Sequence, residues 1–234
     1  MDRTGDVAAL KPLPRGFYER PAVVVGLDLL GCLLCHKTGR GLLVGCITEL
    51  EVYLGQNDPA SHAFRGNKGR AHIFWQGAGI AYIYFIYGAH LCFNVITRSG
   101  RDVGGILIRA LEPVQGIDVM RNNRGVEDVH NLTTGPGKIT RALDITLNDN
   151  GKELTMGALF ISESHGPALI NVTPRIGITK ARDTPLRFYD GESDFISRAK
   201  APVLFSSSKS EALNFLNQSL PPVNLCLKRA DKGR

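Results

Sequence analysis

The sequence predicts a single domain of mixed α/β class, and three observations carry that prediction. The chain's 234 residues are 43% hydrophobic and 21% charged, the balance of an ordinary globular protein with one sizeable core; this excludes disordered, coiled-coil and collagen-like classes. Apolar residues recur every three or four positions before residue 39 and every second position after residue 42, the signatures of a helix and then a strand. An aromatic and β-branched run stops at Gly88-Ala89 and resumes, which marks a β-hairpin.

Taken in order, residues 1–15 carry Lys11, Pro12, Pro14 and Arg15 with little periodicity and read as a loose basic leader. A helix is predicted from Pro21, with Val24, Leu27, Leu30 and Leu34 on one face, ending at Gly39-Arg40-Gly41. From Leu42 a strand places Thr48, Leu50, Val52 and Leu54 on one side and Ile47, Glu49, Glu51 and Tyr53 on the other, until residues 55–59 break it. Residues 55–70 form a polar loop with His62, Arg65, Lys68 and Arg70, followed by a short apolar piece around Ile73-Phe74-Trp75. The hairpin spans 80–87 and 91–96, with Tyr87 beside its tip. A strand is expected over 104–111, a helix over 113–121 and a polar loop over 122–131. Gly135-Pro136-Gly137-Lys138 then opens a helix, with Pro in the first turn where its missing N–H costs nothing. Short strands near 158–163, 174–178 and 186–190 and a helix over 206–218 complete the domain, which is expected to span 16–225 before a basic tail at 226–234.

Several function classes fall away. No apolar run reaches the roughly 18 residues that span a bilayer, and the start lacks a signal peptide's apolar stretch, so no membrane association and an intracellular location are expected. Lys plus Arg (28) exceeds Asp plus Glu (22), a net charge of +6 that suggests a polyanionic partner. The five cysteines are an odd number in apolar surroundings, as expected of reduced thiols. Cys32-Leu33-Leu34-Cys35-His36 has the form of a c-type haem attachment, but it lies in an apolar run without an export signal and reads as structural helix. The scattered histidines supply no paired ligands, so no metal and no cofactor are expected.

Glu51 sits mid-strand among apolar neighbours, about 7 Å from Glu49 by strand rise. Such a carboxylate can orient and deprotonate a water; the alternation alone favours a plain solvated sheet face. Arg109 interrupts an otherwise apolar strand, and a guanidinium there needs an anionic partner, Glu51 or a phosphate. Four of the six tyrosines, Tyr53, Tyr82, Tyr84 and Tyr87, lie between positions 53 and 87, either as packing or as a platform. Tyr87 at a hairpin tip is poorly placed for burial and suits a wedge between base pairs. Asn94 on the returning strand is either a satisfied buried amide or a reader of a base edge. Lys138 and Arg141 beside a helix start suit a phosphate or plain capping equally.

These blocks together resemble a known family. Thr48-Glu49-Leu50-Glu51-Val52-Tyr53-Leu54-Gly55, Asp58-Pro59-Ala60-Ser61-His62, the run from Tyr82 to Val95, Ile108-Arg109-Ala110-Leu111-Glu112-Pro113 and Gly135-Pro136-Gly137-Lys138 stand in the order found in alkyladenine (3-methyladenine) DNA glycosylases. The resemblance implies a curved antiparallel sheet with flanking helices and a protruding hairpin that enters the minor groove. It implies that Glu51 activates water and Arg109 supports it, that Tyr53 stacks on one face of a flipped base while His62 and Tyr84 cover the other, and that Asn94 at the pocket floor meets a guanine's 2-amino group. Tyr87 is then the wedge, and Ala89, His90, Arg70 and Lys138 contact DNA. The implied partner is double-stranded DNA with damaged purines, bound by a monomer; the location would be nucleoid or nucleus. Two departures stand out. The usual Thr-x-Arg-Asn reads Lys68-Gly69-Arg70-Ala71, and Ala89 replaces a frequent Met. A non-catalytic binder of damaged DNA on the same fold is the alternative.

Overall fold

The computed structural model describes residues 10–86, 88, 90–197 and 201–220. Among them, nine strands form one sheet in which every strand pair is antiparallel. The main path runs β3 (Ala81–Ile86), β4 (His90–Ser99), β5 (Asp102–Gln115), β2 (Gly41–Tyr53), β8 (Arg187–Asp190), β7 (Ile170–Thr173) and β9 (Phe205–Ser207). β1 (Leu33–Thr38) pairs with both β2 and β6 (Leu159–Ser162). The expected antiparallel α/β domain with flanking helices is therefore the one observed, and its hairpin, β3–β4, forms one edge of the path. No helix among the described residues is long and apolar enough to cross a membrane.

The first predicted helix is corrected. α1 covers only Arg15–Tyr18, and α2 stops at Leu29, after starting at Ala22 behind the Pro21 cap. Leu30 is extended and Gly31 takes φ +85°, where a Cβ would lie 2.3 Å from the His165 carbonyl oxygen, so the chain must turn here and only glycine fits. Leu33–Thr38 is strand β1, not helix, and Cys32 to His36 belong to it and the turn before it. Burial pushes the Cys32 and Cys35 thiols up to about 12, while the His36 ring sits 2.7 Å from the Leu143 carbonyl. Of the expected leader, residues 1–9 lie outside the described ones; Leu13 is buried and Pro12 bridges to Ser162.

Two further elements shift. β5 carries the chain through Pro113, tolerated because Pro113 faces Gly45 at a register shift, and α3 begins only at Ile117 and ends at Arg124. No strand covers 174–178; β7 ends at Thr173, and the Ile176 N–H is committed to the Glu51 carboxylate instead of a ladder. α4 (Pro136–Ala142) matches expectation, and α5 (Lys209–Ser219) follows the short β9. The basic tail lies outside the described residues.

Candidate active site

Directly opposed residues in an antiparallel sheet share a face, and one such row builds the site. Tyr82 faces Asn94, Asn94 faces Leu107, Leu107 faces Glu51 and Glu51 faces Arg187, so the side chains of five strands converge. The rows on either side add Tyr84 opposite Cys92 and Tyr53 opposite Gly105. All of these but Arg187 line a cleft of about 510 Å³, with His62, Arg70 and Arg109 on its wall, in the size range of small-molecule sites.

Arg109 reaches this face through a bulge. β2 and β5 pair Glu49 with Ala110 and Leu50 with Ile108, so Arg109 has no opposing residue and its side chain is re-aimed. Its Nε donates to Glu49 Oε1 at 2.9 Å, and its Nη1 lies 3.3 Å from Glu51 Oε1. The expectation of an acidic partner for Arg109 is met twice. Glu49 also accepts from Arg187 Nε (2.7 Å) and from the Ser197 N–H and hydroxyl. Burial alone would raise the Glu49 pKa, yet Arg187 and Arg109 outweigh it and hold the carboxylate below its ordinary range.

Neither carboxylate lines a solvated face: Glu49 and Glu51 are fully buried. Glu51 borders the cleft but exposes no surface, because the Tyr53 hydroxyl (2.9 Å), the Ile176 N–H (2.7 Å) and Arg109 cover its oxygens. Burial, then the charge of Glu51, drives the Tyr53 pKa far up, so this phenol keeps its proton and donates. Behind Tyr53 stands Arg175, its guanidinium 4.7 Å from the ring centroid.

His62 packs edge-on to Tyr84 with centroids 4.7 Å apart, and its Nδ1 lies 2.8 Å from the Tyr82 hydroxyl. Desolvation, helped by the charge of Arg70, lowers the His62 pKa and favours the neutral ring. Asn94 donates from Nδ2 to the Tyr82 carbonyl (3.1 Å); a carbonyl only accepts, so this contact fixes which end of the amide faces it. Burial also lifts the Cys92 thiol to about 11 beside the Tyr84 hydroxyl.

Glu51, Tyr53, His62, Arg70, Tyr84, Asn94 and Arg109 are thus brought together. Lys138 is not on the cleft wall; its ammonium donates to Asn131 and to the Thr134 hydroxyl at 3.4 Å. His90 is exposed at the start of β4 and packs on Gly137, where a Cβ would come within 3.0 Å of its own. Tyr87 and Ala89 lie outside the described residues. Sequence reasoning missed Arg187, Arg175, Asp58, Ser197 and Ile176. Among the described residues no group of three or more His, Cys, Asp or Glu side chains is placed to hold a metal ion.

Comparison with known proteins supplies the class. A protein-family model described as Methylpurine-DNA glycosylase (MPG) matches residues 16–194. A protein of Methanoculleus marisnigri is 47% identical over 191 residues, covering 80% of this chain and 98% of its own. Relatives from Koribacter versatilis (41% over 197 residues, 82% and 95%) and Carboxydothermus hydrogenoformans (43% over 189 residues, 80% and 98%) carry the same name, "Putative 3-methyladenine DNA glycosylase". The family match and these relatives make the chain a DNA glycosylase, a monofunctional hydrolase of DNA repair. The chain belongs to the methylpurine-DNA glycosylase family.

Proposed function

We propose that the protein releases alkylated or deaminated purines, among them 3-methyladenine, 7-methylguanine, hypoxanthine and ethenoadenine, from double-stranded DNA, acting as a monomer on an extruded nucleotide. One observation carries this reading: a buried carboxylate, fixed by two hydrogen bonds and an ion pair, at the wall of a cleft edged by Tyr53, His62 and Tyr84.

C1′ is hidden from water inside a duplex, so extrusion comes first, costing a few kcal/mol and least for damaged or mispaired bases. Tyr87, which lies outside the described residues, fills the gap in the stack. Stacking on Tyr53 and Tyr84 contributes about 1–3 kcal/mol per base. The neutral His62 covers the base without adding a charge, and Asn94 crowds the 2-amino group of a normal guanine.

Glu51 then takes a proton from water as the water oxygen bonds to C1′. The N-glycosidic bond breaks, its electron pair leaves with the base, and an abasic sugar remains. A cationic base departs as a neutral molecule; a neutral one needs a proton at the leaving purine. Because all of Glu51's oxygens are covered, one donor must yield to the water. The Tyr53 hydroxyl is the neutral side-chain donor among them, and it borders the cleft. Arg109 and the Ile176 N–H keep the carboxylate aimed meanwhile.

Single-turnover release of hypoxanthine from an inosine-containing duplex tests the reading. Wild type should release it and Glu51→Gln should not at a comparable rate. A protein that binds the duplex but frees no base is the non-catalytic binder; a fully active Glu51→Gln refutes the role given to the carboxylate.

A further inference from the structure

Arg175 is 5% exposed, and Asp58 beside it 3%. The two form a fork, Nη1 to Oδ2 at 2.5 Å and Nη2 to Oδ1 at 2.9 Å, and Nη1 also reaches the Val52 carbonyl at 3.0 Å. Asp58 is itself fixed, accepting from the Leu54 N–H (3.1 Å) and the Ala60 N–H (3.0 Å). The Arg175 Nε is buried with no partner among the described residues, so maximal hydrogen bonding is not what set this position. The plane instead backs the Tyr53 ring, and the following peptide N–H, that of Ile176, holds Glu51.

We infer that Arg175 is a positioning and specificity residue: braced by Asp58, it sets the stacking ring and the carboxylate together, and its cation behind Tyr53 disfavours cationic bases relative to neutral ones. The physics is that a ring's π-face attracts a cation through its negative potential. A guanidinium on one face draws on that potential and repels a second cation across the ring. Asp58 offsets part of the charge, so the residual effect is modest in a site otherwise suited to cationic rings. This inference rests on the base-release reading above.

Removing either partner alone strands a buried charge, whereas removing both avoids that. The experiment therefore compares wild type, Asp58→Asn/Arg175→Met and Asp58→Asn. Single-turnover release is measured for 7-methylguanine, which is cationic, and hypoxanthine, which is neutral, from otherwise identical duplexes. The double variant should slow both, because ring and carboxylate lose their brace, while the ratio of 7-methylguanine to hypoxanthine rates rises at least about threefold. Asp58→Asn alone leaves the cation uncompensated and should move the ratio below wild type. An unmoved ratio in the double variant, or a rise in Asp58→Asn, overturns the inference. Wild type that releases neither base brings down the substrate reading and this inference with it; wild type that releases both with a fixed ratio brings down only this one.

Discussion

At the floor of the cleft, Glu51 and Arg109 line it and Glu49 and Arg187 back them; all four are less than 10% exposed and hold one another with Ser197, Tyr53 and the Ile176 N–H. At its rim, Arg70 and His90 are exposed and Lys138 is half-buried. Low dielectric makes the floor's charges costly to disturb, and water makes the rim's charges cheap to alter. A site that must aim one proton acceptor at one carbon needs the first arrangement. Gripping a polyanion of any sequence needs only the second.

If this contrast is right, floor variants change chemistry or folding and rim variants change salt response. The largest effect belongs to Glu51→Gln. The amide keeps the shape, with its oxygen able to accept from the Ile176 N–H and its NH2 able to donate to the Tyr53 oxygen, but it cannot take the water's proton. The single-turnover rate should fall by about 10² to 10⁴ with binding to damaged duplex retained. Binding lost in parallel with rate would show that the carboxylate is structural.

Glu49→Gln should act on stability. It leaves Arg109 and Arg187 facing one fewer anion in a dry interior, a loss of about 3–5 kcal/mol measurable by denaturant unfolding. The pH dependence has a defined sign. Because the folded-state pKa of Glu49 lies below its unfolded value, its contribution is complete above the ordinary carboxylate value of 4.5 and is lost as pH falls through the lower folded value. Wild type should therefore lose stability on acidification below about 4.5, with the Glu49 share of that loss missing in Glu49→Gln.

A smaller effect links rim to wall. Desolvation first and Arg70 second lower the His62 pKa. In an NMR titration the His62 imidazole should protonate below its ordinary value, and Arg70→Ala should raise the midpoint part of the way back, since desolvation persists. A midpoint unmoved by Arg70→Ala would disconnect that arginine from the pocket.

The floor divides sharply by how much of it the sequence displays. Strand alternation exposes Glu51, Tyr53, Tyr84 and Asn94, because period-two placement puts them on one face wherever the neighbouring strands go. Arg109 betrays itself as a charge in an apolar strand, although the bulge that aims it leaves no mark on periodicity. Arg187 and Arg175 stay hidden: they sit in short, late segments, and their partners, Glu49 and Asp58, lie more than 100 residues earlier. The helix misread over residues 33–38 has the same origin. A run buried on both faces, as residues 33–36 of β1 are, reads equally well as helix until Gly31 is seen to force the turn. Reading 174–178 as strand failed because the Ile176 N–H there goes to the Glu51 carboxylate and not to a neighbouring strand.

The smallest effect discriminates most finely. Lys138 was proposed to meet a DNA phosphate, yet its ammonium already engages Asn131 and Thr134. A lysine that meets a phosphate displaces a counterion when DNA arrives. If Lys138 does so, Lys138→Ala weakens binding alike for damaged and undamaged duplexes and reduces the slope of log affinity against log salt by about 0.9. The base-release rate of the bound complex stays at the wild-type level, because Lys138 does not line the cleft. Should the slope be unchanged while the unfolding midpoint drops, Lys138 is a brace for the 129–138 segment and the polyanion is held elsewhere on the rim. Arg70→Ala, measured in the same salt series, then becomes the variant that should carry the missing unit of slope.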